Sequence, residues 1–301
     1  MEDPQTDGGD GGRKLRAASF SLGVNVLLIL LKLSVVLVTG SLAILAELLH
    51  SFFDMLASLF AYIGIRKAQE PADESHLYGH DKFENLSSLA QTILIVVTSF
   101  LVIYEAVNRI ASPTKIESTE LGLGVMVITI VIDYFLAKYL HKTSRDYGSA
   151  ALEADAYHFS TDLWGAISVI VGLVFVMLGF PVFDSLAAIV VALLMLWISY
   201  KLGTKALHVL MDRSPPQEYI DKIRNAISST TGVESFHKLR VRQAGSRYLV
   251  ELHIQDSPKK SVEEGHYIGH DVKARVMKDV PNIKEVTVHV EPKTSRFKKK
   301  V

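Results

Sequence analysis

The chain has 301 residues, 49% of them hydrophobic, with 32 basic side chains balanced by 32 acidic ones and no cysteine. The missing cysteine excludes disulfides, thiolate metal sites and a cysteine nucleophile. A mean hydropathy of +0.25 points away from a soluble globule and toward a membrane.

Residues 1–14, "MEDPQTDGGDGGRK", read as a disordered tail, acidic and then basic. From residue 15 to 208 the chain is mostly apolar. A helix needs about 20 apolar residues to cross about 30 Å of hydrocarbon, and six segments meet that length: 17–39, 42–65, 87–108, 120–140, 151–179 and 182–205. The first, second and fifth carry polar residues (Asn25, Lys32, His50, Asp54, His158, Asp162), whereas the third and fourth read as plain lipid-compatible helices. "TGS" at 39–41 and "GFP" at 179–181 are tight joins. Lys and Arg flank alternate loops: Arg13, Lys14 and Arg16; Arg66, Lys67 and Lys82; Lys142 and Arg145; Lys205 and Arg213. By the positive-inside rule both termini face the cytoplasm.

After "MDRSPP" the composition changes. Residues 209–293 form a second, soluble domain, and the basic tail 294–301 reads as disordered. Residues 217–230 pattern as an amphipathic helix with Ile220, Ile223 and Ile227 on one side. "VESFHKLRVRQ" and "RYLVELHIQ" alternate as strands around an "AGS" turn. Residues 261–279 are a second helix, and "IKEVTVHVE" a last strand. The expected fold is six transmembrane helices followed by a small α+β (α-β-β-α-β, metallochaperone-like) domain whose helices cover one sheet face.

Two motifs carry the chemistry. "AELLHSFFDML" places His50 and Asp54 four residues apart, on one face of a helix. "ADAYHFSTDLWG" repeats the pattern with His158 and Asp162. Two such pairs on separate helices can converge into an N2O2 cluster in which two carboxylates balance a divalent cation and two imidazoles supply nitrogen ligands that suit Zn2+. A single pair would also serve as an interhelical hydrogen bond; a carboxylate at membrane depth is costly and is rarely kept without a role. Glu47 reads either as support for His50 or as a partner for Lys32. Asp155 either caps its helix or guides a cation inward.

With the loop "PADESHLYGHDKFE" and the α-β-β-α-β tail, "HSFFD" and "HFSTD" resemble the cation diffusion facilitator family, over about residues 15 to 292. The resemblance implies a homodimeric exporter that moves divalent metals out of the cytoplasm in exchange for protons, with His50, Asp54, His158 and Asp162 as the transport site. The His-Asp/His-Asp set is the one this family associates with zinc, and often with cadmium or cobalt. Asp73, His76 and His80 match a loop metal site; a solvated turn at Tyr78-Gly79, with Glu84 capping the next helix, is the plainer reading of that loop. Lys82 matches a loop lysine that pairs with an aspartate after span six, here Asp212.

Strand alternation puts Tyr248, Val250, Leu252 and Ile254 on one sheet face and Glu251, His253 and Gln255 on the other. In the last strand Val286, Val288 and Val290 are expected to be buried, with Thr287, His289 and Glu291 opposite. By the resemblance, His237, His253, His266 and His289 bind zinc at the dimer interface, with Glu291 where relatives often carry a bridging aspartate. His270 is a spare ligand or has no role.

The rival classes are a membrane-bound metal sensor or scaffold, an intramembrane metallohydrolase, and a transporter of the same family whose main substrate is Mn2+ or Fe2+. No H-E-x-x-H pair or Walker A sequence supports hydrolysis or ATP-driven pumping. No basic stripe on the soluble domain supports nucleic-acid binding. Short loops without a histidine-rich insert favour the cell (inner) membrane of a prokaryote.

Overall fold

The structure is a computed structural model that describes residues 7–39, 42–111, 120–177 and 182–293. Residues 40–41 of the first tight join, the second join at 179–181 and the tail 294–301 therefore lie outside the described residues, as does the side chain of Glu47. The chain divides into two compact units, one ending at Leu207 and one beginning at His208.

The first unit is built from six helices: α1 (Asp7–Thr39), α2 (Leu42–Ala68), α3 (Phe83–Ala111), α4 (Glu120–Tyr147), α5 (Ala150–Met177) and α6 (Val182–Leu210). At about 1.5 Å per residue they run about 40 to 50 Å, longer than the hydrocarbon they would cross. Among the described residues, the segments Gly9–Val38, Phe83–Ala111 and Ser185–Leu210 are long and apolar enough to span a membrane by length and composition. Leu27, Leu30, Phe100, Val190 and Trp197 are more than half exposed along these helices, a surface that suits lipid rather than water.

α1 packs on α2 and α4, α2 on α3 and α5, and α5 on α3 and α4. Their common core is small-residue packing, with Ala17, Ala18, Ala61, Ala137, Ala151 and Ala156 around Ile65, Leu140, Leu152 and Phe159. The α2–α3 contact is closest at Gly64, where a Cβ would run into the Ser87 side chain. The Ser87 hydroxyl donates to the Phe60 carbonyl there, at 2.5 Å.

Three sequence expectations change here. Residues 7–14, expected to be a disordered tail, are the first turns of α1. They are tied down by the Gln69 amide donating to the Gly11 carbonyl (2.9 Å) and by a buried Lys14–Glu84 ion pair (2.9 Å). Glu84, expected to cap α3, also accepts from the Ser149 hydroxyl at 2.6 Å, so one carboxylate joins α1, α3 and the α4–α5 junction. Nor are the third and fourth spans plain: α3 buries Ser87, Ser88, Gln91, Thr92, Thr98 and Ser99, and α4 buries Asp133. The Gln91 amide donates across to the Ala151 carbonyl at 3.3 Å.

The second unit has α7 (Gln217–Ser228), β1 (Ser235–Ala244), β2 (Arg247–Asp256), α8 (Val262–Asp279) and β3 (Ile283–Pro292). β1 and β2 are an antiparallel hairpin, and β3 adds in parallel to β2 through the α8 crossover, in the order β1-β2-β3. At the two-residue hairpin loop Gly245 takes φ +59°, the left-handed conformation that a glycine-first hairpin turn requires. α8 starts at a capping box: the Glu264 amide donates to Ser261 Oγ, and the Ser261 amide returns to the Glu264 carboxylate.

Ile223, Ile227, Val241, Val250, Leu252, Ile254, Val272, Val276 and Val286 form the core on one sheet face. Val290, expected to be buried, is 37% exposed because β3 ends at the rim of α8, where its methyls reach only the Cα side of Gly265 and Gly269.

Candidate metal centres

His50 and Asp54 lie on α2, and His158 and Asp162 on α5, two helices in contact. The four side chains meet. His158 Nε2 is 2.9 Å from Asp54 Oδ1 and 3.9 Å from Asp162 Oδ2; His50 Nε2 is 3.8 Å from Asp54 Oδ1 and 3.5 Å from Asp162 Oδ1. One ligand atom each from His50, Asp54 and Asp162 lies within 4.8 Å of the other two. His158 is fully buried, whereas the His50 side chain is 37% exposed, so the cluster is reached from the His50 side.

Polar groups the sequence reading did not place line its surroundings. Asp133 of α4 is buried, within electrostatic reach of Asp162, Asp54, Lys32 and His158. Lys32 is buried on α1 and donates to Ser51 Oγ at 2.7 Å. Asn25 donates to Ser58 Oγ at 2.8 Å and lies 3.5 Å from the Asp54 carbonyl. In the sequence Asp133 sits alone in a run of isoleucine, valine and phenylalanine, and its isolation was the available signal.

The loop between α2 and α3 brings Asp73, His76 and His80 together within the same 4.8 Å limit. His80 Nε2 is 3.3 Å from Asp73 Oδ2 and His76 Nδ1 is 3.5 Å from Asp73 Oδ1. The Pro71 carbonyl accepts from His80 Nδ1 at 3.0 Å, which orients the ring so that Nε2 faces Asp73. The backbone N–H of His76, followed by the Ser75 hydroxyl and amide, holds the Asp73 carboxyl down at about 2. Gly79 takes φ +82°, turning the chain so that His80 faces back.

In the second unit three histidines form a row across the sheet. His237 pairs with His253 in the antiparallel ladder and His253 with His289 in the parallel one, with ring centroids 5.3 and 4.5 Å apart. Regular alternation would put His237 on the core side with Leu239 and Val241. A bulge between His237 and Arg240, with Lys238 at φ +50°, resets the strand and turns His237 to the outer face.

Glu291 is the hub of this row. Its Oε1 accepts from His253 Nδ1 at 2.6 Å and lies 3.6 Å from His289 Nε2, while Oε2 lies 3.3 Å from His237 Nε2. The His253 hydrogen bond, with the nearby His237 charge, holds the Glu291 carboxyl below its usual range.

His266, expected to join this cluster, does not do so within one protomer. α8 packs its Gly265, Ile268 and Val272 side against the opposite face of the sheet, and the His266 ring meets that of His270 edge-on, with centroids 4.6 Å apart. Asp212 is approached by Arg242 of its own unit at 3.5 Å. His141 contacts Ser160 Oγ at 3.0 Å, and His208 Nδ1 accepts from Arg213 at 2.6 Å.

Residues 18–211 match the family model for the cation efflux transmembrane domain, and residues 215–293 match that for the cytoplasmic domain of cation efflux proteins. The chain belongs to the cation diffusion facilitator family. It is a multi-pass membrane transporter of divalent metal cations, not an enzyme, and its second unit is the family's cytoplasmic domain.

A cation-efflux pump FieF of Shewanella oneidensis is 32% identical over 276 residues, covering 92% of this chain and 93% of the relative. An uncharacterized transporter of Methanocaldococcus jannaschii is 30% identical over 267 residues, covering 89% and 94%. The metal-bound C-terminal domain of the CzcD transporter from Thermotoga maritima is 29% identical, covers 25% of this chain and 88% of its own, and aligns with a TM-score of 0.25.

Proposed function

We propose that this cation diffusion facilitator exports Zn2+ from the cytoplasm in exchange for protons, through His50, Asp54, His158 and Asp162, as a homodimer in the cell (inner) membrane with both termini cytoplasmic. The observation that carries the reading is the convergence of two separate H-x-x-x-D pairs on α2 and α5. Two imidazole nitrogens and two carboxylates suit tetrahedral Zn2+, and Cd2+ and Co2+ share the preference.

The exchange follows from the ligands' own chemistry. Asp54 Oδ1 accepts a hydrogen from His158 Nε2, so a cation that binds Nε2 replaces a proton, and the proton's return weakens the ligand set. Alternating access then requires α2 and α5 to move relative to the surrounding helices.

Asp73, His76 and His80 would hold a second, more exposed cation on the loop. His237, His253, His289 and Glu291 would bind regulatory metal in the cytoplasmic domain, with His266 supplied by the partner protomer.

In liposomes with trapped zinc indicator, zinc flux should depend on the pH gradient and be lost in Asp54→Ala and Asp162→Ala. Equal flux in wild type and variants would overturn the transport site. The row of histidines favours a second reading, a membrane-bound metal sensor, and that outcome would support it. Competition by Mn2+ and Fe2+ in the same assay separates zinc from the alternative substrates.

A further inference from the structure

Three residues beside the cation cluster form a closed ring. Asp155 Oδ2 is 2.7 Å from Ser21 Oγ, Ser21 Oγ is 3.0 Å from Ser58 Oγ, and Ser58 Oγ is 2.8 Å from Asp155 Oδ1. All three side chains are fully buried, where α1, α2 and α5 meet. Asn25 adds a donor from outside the ring, its Nδ2 reaching Ser58 Oγ at 2.8 Å.

The hydrogens can be counted. Each hydroxyl has one, and an ionised carboxylate has none. With Asp155 ionised, both hydroxyl hydrogens go to the carboxylate, and the two serine oxygens face each other at 3.0 Å with nothing between them. Asn25 cannot fill that edge, because its hydrogen reaches Ser58 from elsewhere. One proton on Asp155 closes the ring: Asp155 Oδ2–H donates to Ser21, Ser21 donates to Ser58, and Ser58 donates to Asp155 Oδ1. A neutral acid also avoids the cost of a charge with no solvent contact among membrane helices.

We infer that Asp155 is a neutral carboxylic acid in the metal-free protein and carries one of the protons exchanged for the cation. The inference rests on the antiport reading above and adds a group outside the four ligands. When the Asp155 O–H bond breaks, the proton leaves and the bonding pair stays as a carboxylate. The Ser21 hydrogen then turns from Ser58 to Asp155 Oδ2, so the same cradle holds either form without backbone movement.

Among the described residues, the charged groups acting on Asp155 include His158 and Asp162 on its own helix; α1 meets it with Ser21 and α2 with Ser58, to which Asn25 of α1 donates. Cation binding at His158 places positive charge one helical turn away, which favours the carboxylate. Asp155 precedes His158 on α5, so its proton is released on the side where that helix begins, the cytoplasmic side in the orientation proposed above.

Asp155→Asn is the deciding variant, because its carboxamide can put its C=O and one of its two N–H groups into the ring in place of the neutral acid while carrying no exchangeable acid proton. The full-length protein in liposomes is titrated with Zn2+ while infrared difference spectra and proton release per bound zinc are recorded. The wild type should lose a protonated-acid carbonyl band on zinc binding. That band should be absent from Asp155→Asn and shifted in Ser58→Ala, and Asp155→Asn should release one proton fewer per zinc. If the wild type releases protons and Asp155→Asn matches it in band and count, this assignment is overturned and antiport stands. If the wild type binds zinc without releasing any proton, the antiport reading fails and takes the assignment with it. Ser58→Ala, which removes one ring edge and keeps the acid, decides through the band shift should Asp155→Asn not fold.

Discussion

The buried Lys14–Glu84 pair gives a quantitative test of how this transporter's helices are held together. Lys14 and Glu84 approach to 2.9 Å with side chains 8% and 6% exposed, and the Ser149 hydroxyl adds a 2.6 Å bond to the same carboxylate. Replacing one member of a buried pair strands the other's charge and costs about 3–5 kcal/mol. In Lys14→Met the Ser149 bond still serves Glu84, which places the loss near the lower end, about 3 kcal/mol. For a unit of this size that is a fall in Tm of about 6–12 °C. The double variant Lys14→Met/Glu84→Leu removes both charges of the pair together and leaves the Ser149 hydroxyl without this acceptor, so it should recover to within about 1 kcal/mol of wild type. Thermal unfolding of the purified protein in detergent, run on wild type, both single variants and the double, gives the coupling directly. A Lys14→Met protein that melts within about 2 °C of wild type, or a double variant no better than the single, would refute the reasoning.

Three other outcomes are expected. Lys238→Gly relieves a left-handed residue at φ +50°; the relief of about 1–2 kcal/mol, less the extra chain entropy of glycine, about 0.5–1 kcal/mol, should raise the melting point of the cytoplasmic domain, and a fall would mean the bulge is held by the lysine side chain. The depressed Asp73 carboxyl, at about 2, contributes loop order that is complete above its ordinary range near pH 4 and lost as pH falls toward 2. Amide exchange across residues 71–82 should therefore rise over that interval in wild type and be flat in Asp73→Asn; matching profiles would count against the carboxylate as the organiser of the loop. Asp133→Asn removes a carboxyl group within electrostatic reach of the cation cluster and should weaken zinc binding on the order of tenfold, measured by calorimetric titration; unchanged affinity would make Asp133 a bystander.

Helix number and the two H-x-x-x-D pairs were legible because both depend on local spacing: hydrophobic runs of span length, and residues four apart on one helical face. The soluble domain's element order was legible from strand alternation, and the core face of β2 falls where alternation puts it. What escaped depends on geometry between elements. The bulge at Lys238 leaves no mark in "SFHKLRV", yet it decides the face that His237 takes. His266 reads in the sequence as a member of a histidine cluster at a dimer interface, and its place away from the row within one protomer depends on which sheet face α8 covers, which composition does not say. The helix over residues 7–14 has an acidic, glycine-rich sequence that suits disorder, and it is ordered by Glu84 and Gln69 from distant segments. Asp133 was read as part of a lipid-facing span because a single charge hardly changes the hydropathy of a window.

The alanines at the junction of α1, α2, α4 and α5 bear on how freely the helices can move. Ala17, Ala18, Ala61, Ala137, Ala151 and Ala156 meet there with at most 4% exposure. A methyl group has no rotamer to change and projects little beyond the backbone, so interlocking at this junction is confined to the few larger side chains among the alanines, Ile65, Leu140, Leu152 and Phe159. Such a seam acts as a bearing: one helix can tilt or slide across its neighbour while keeping van der Waals contact at each step. Directional restraint then falls to the polar attachments around it, Lys14–Glu84 and Gln91–Ala151 among them, which can break and re-form one at a time as the helices turn.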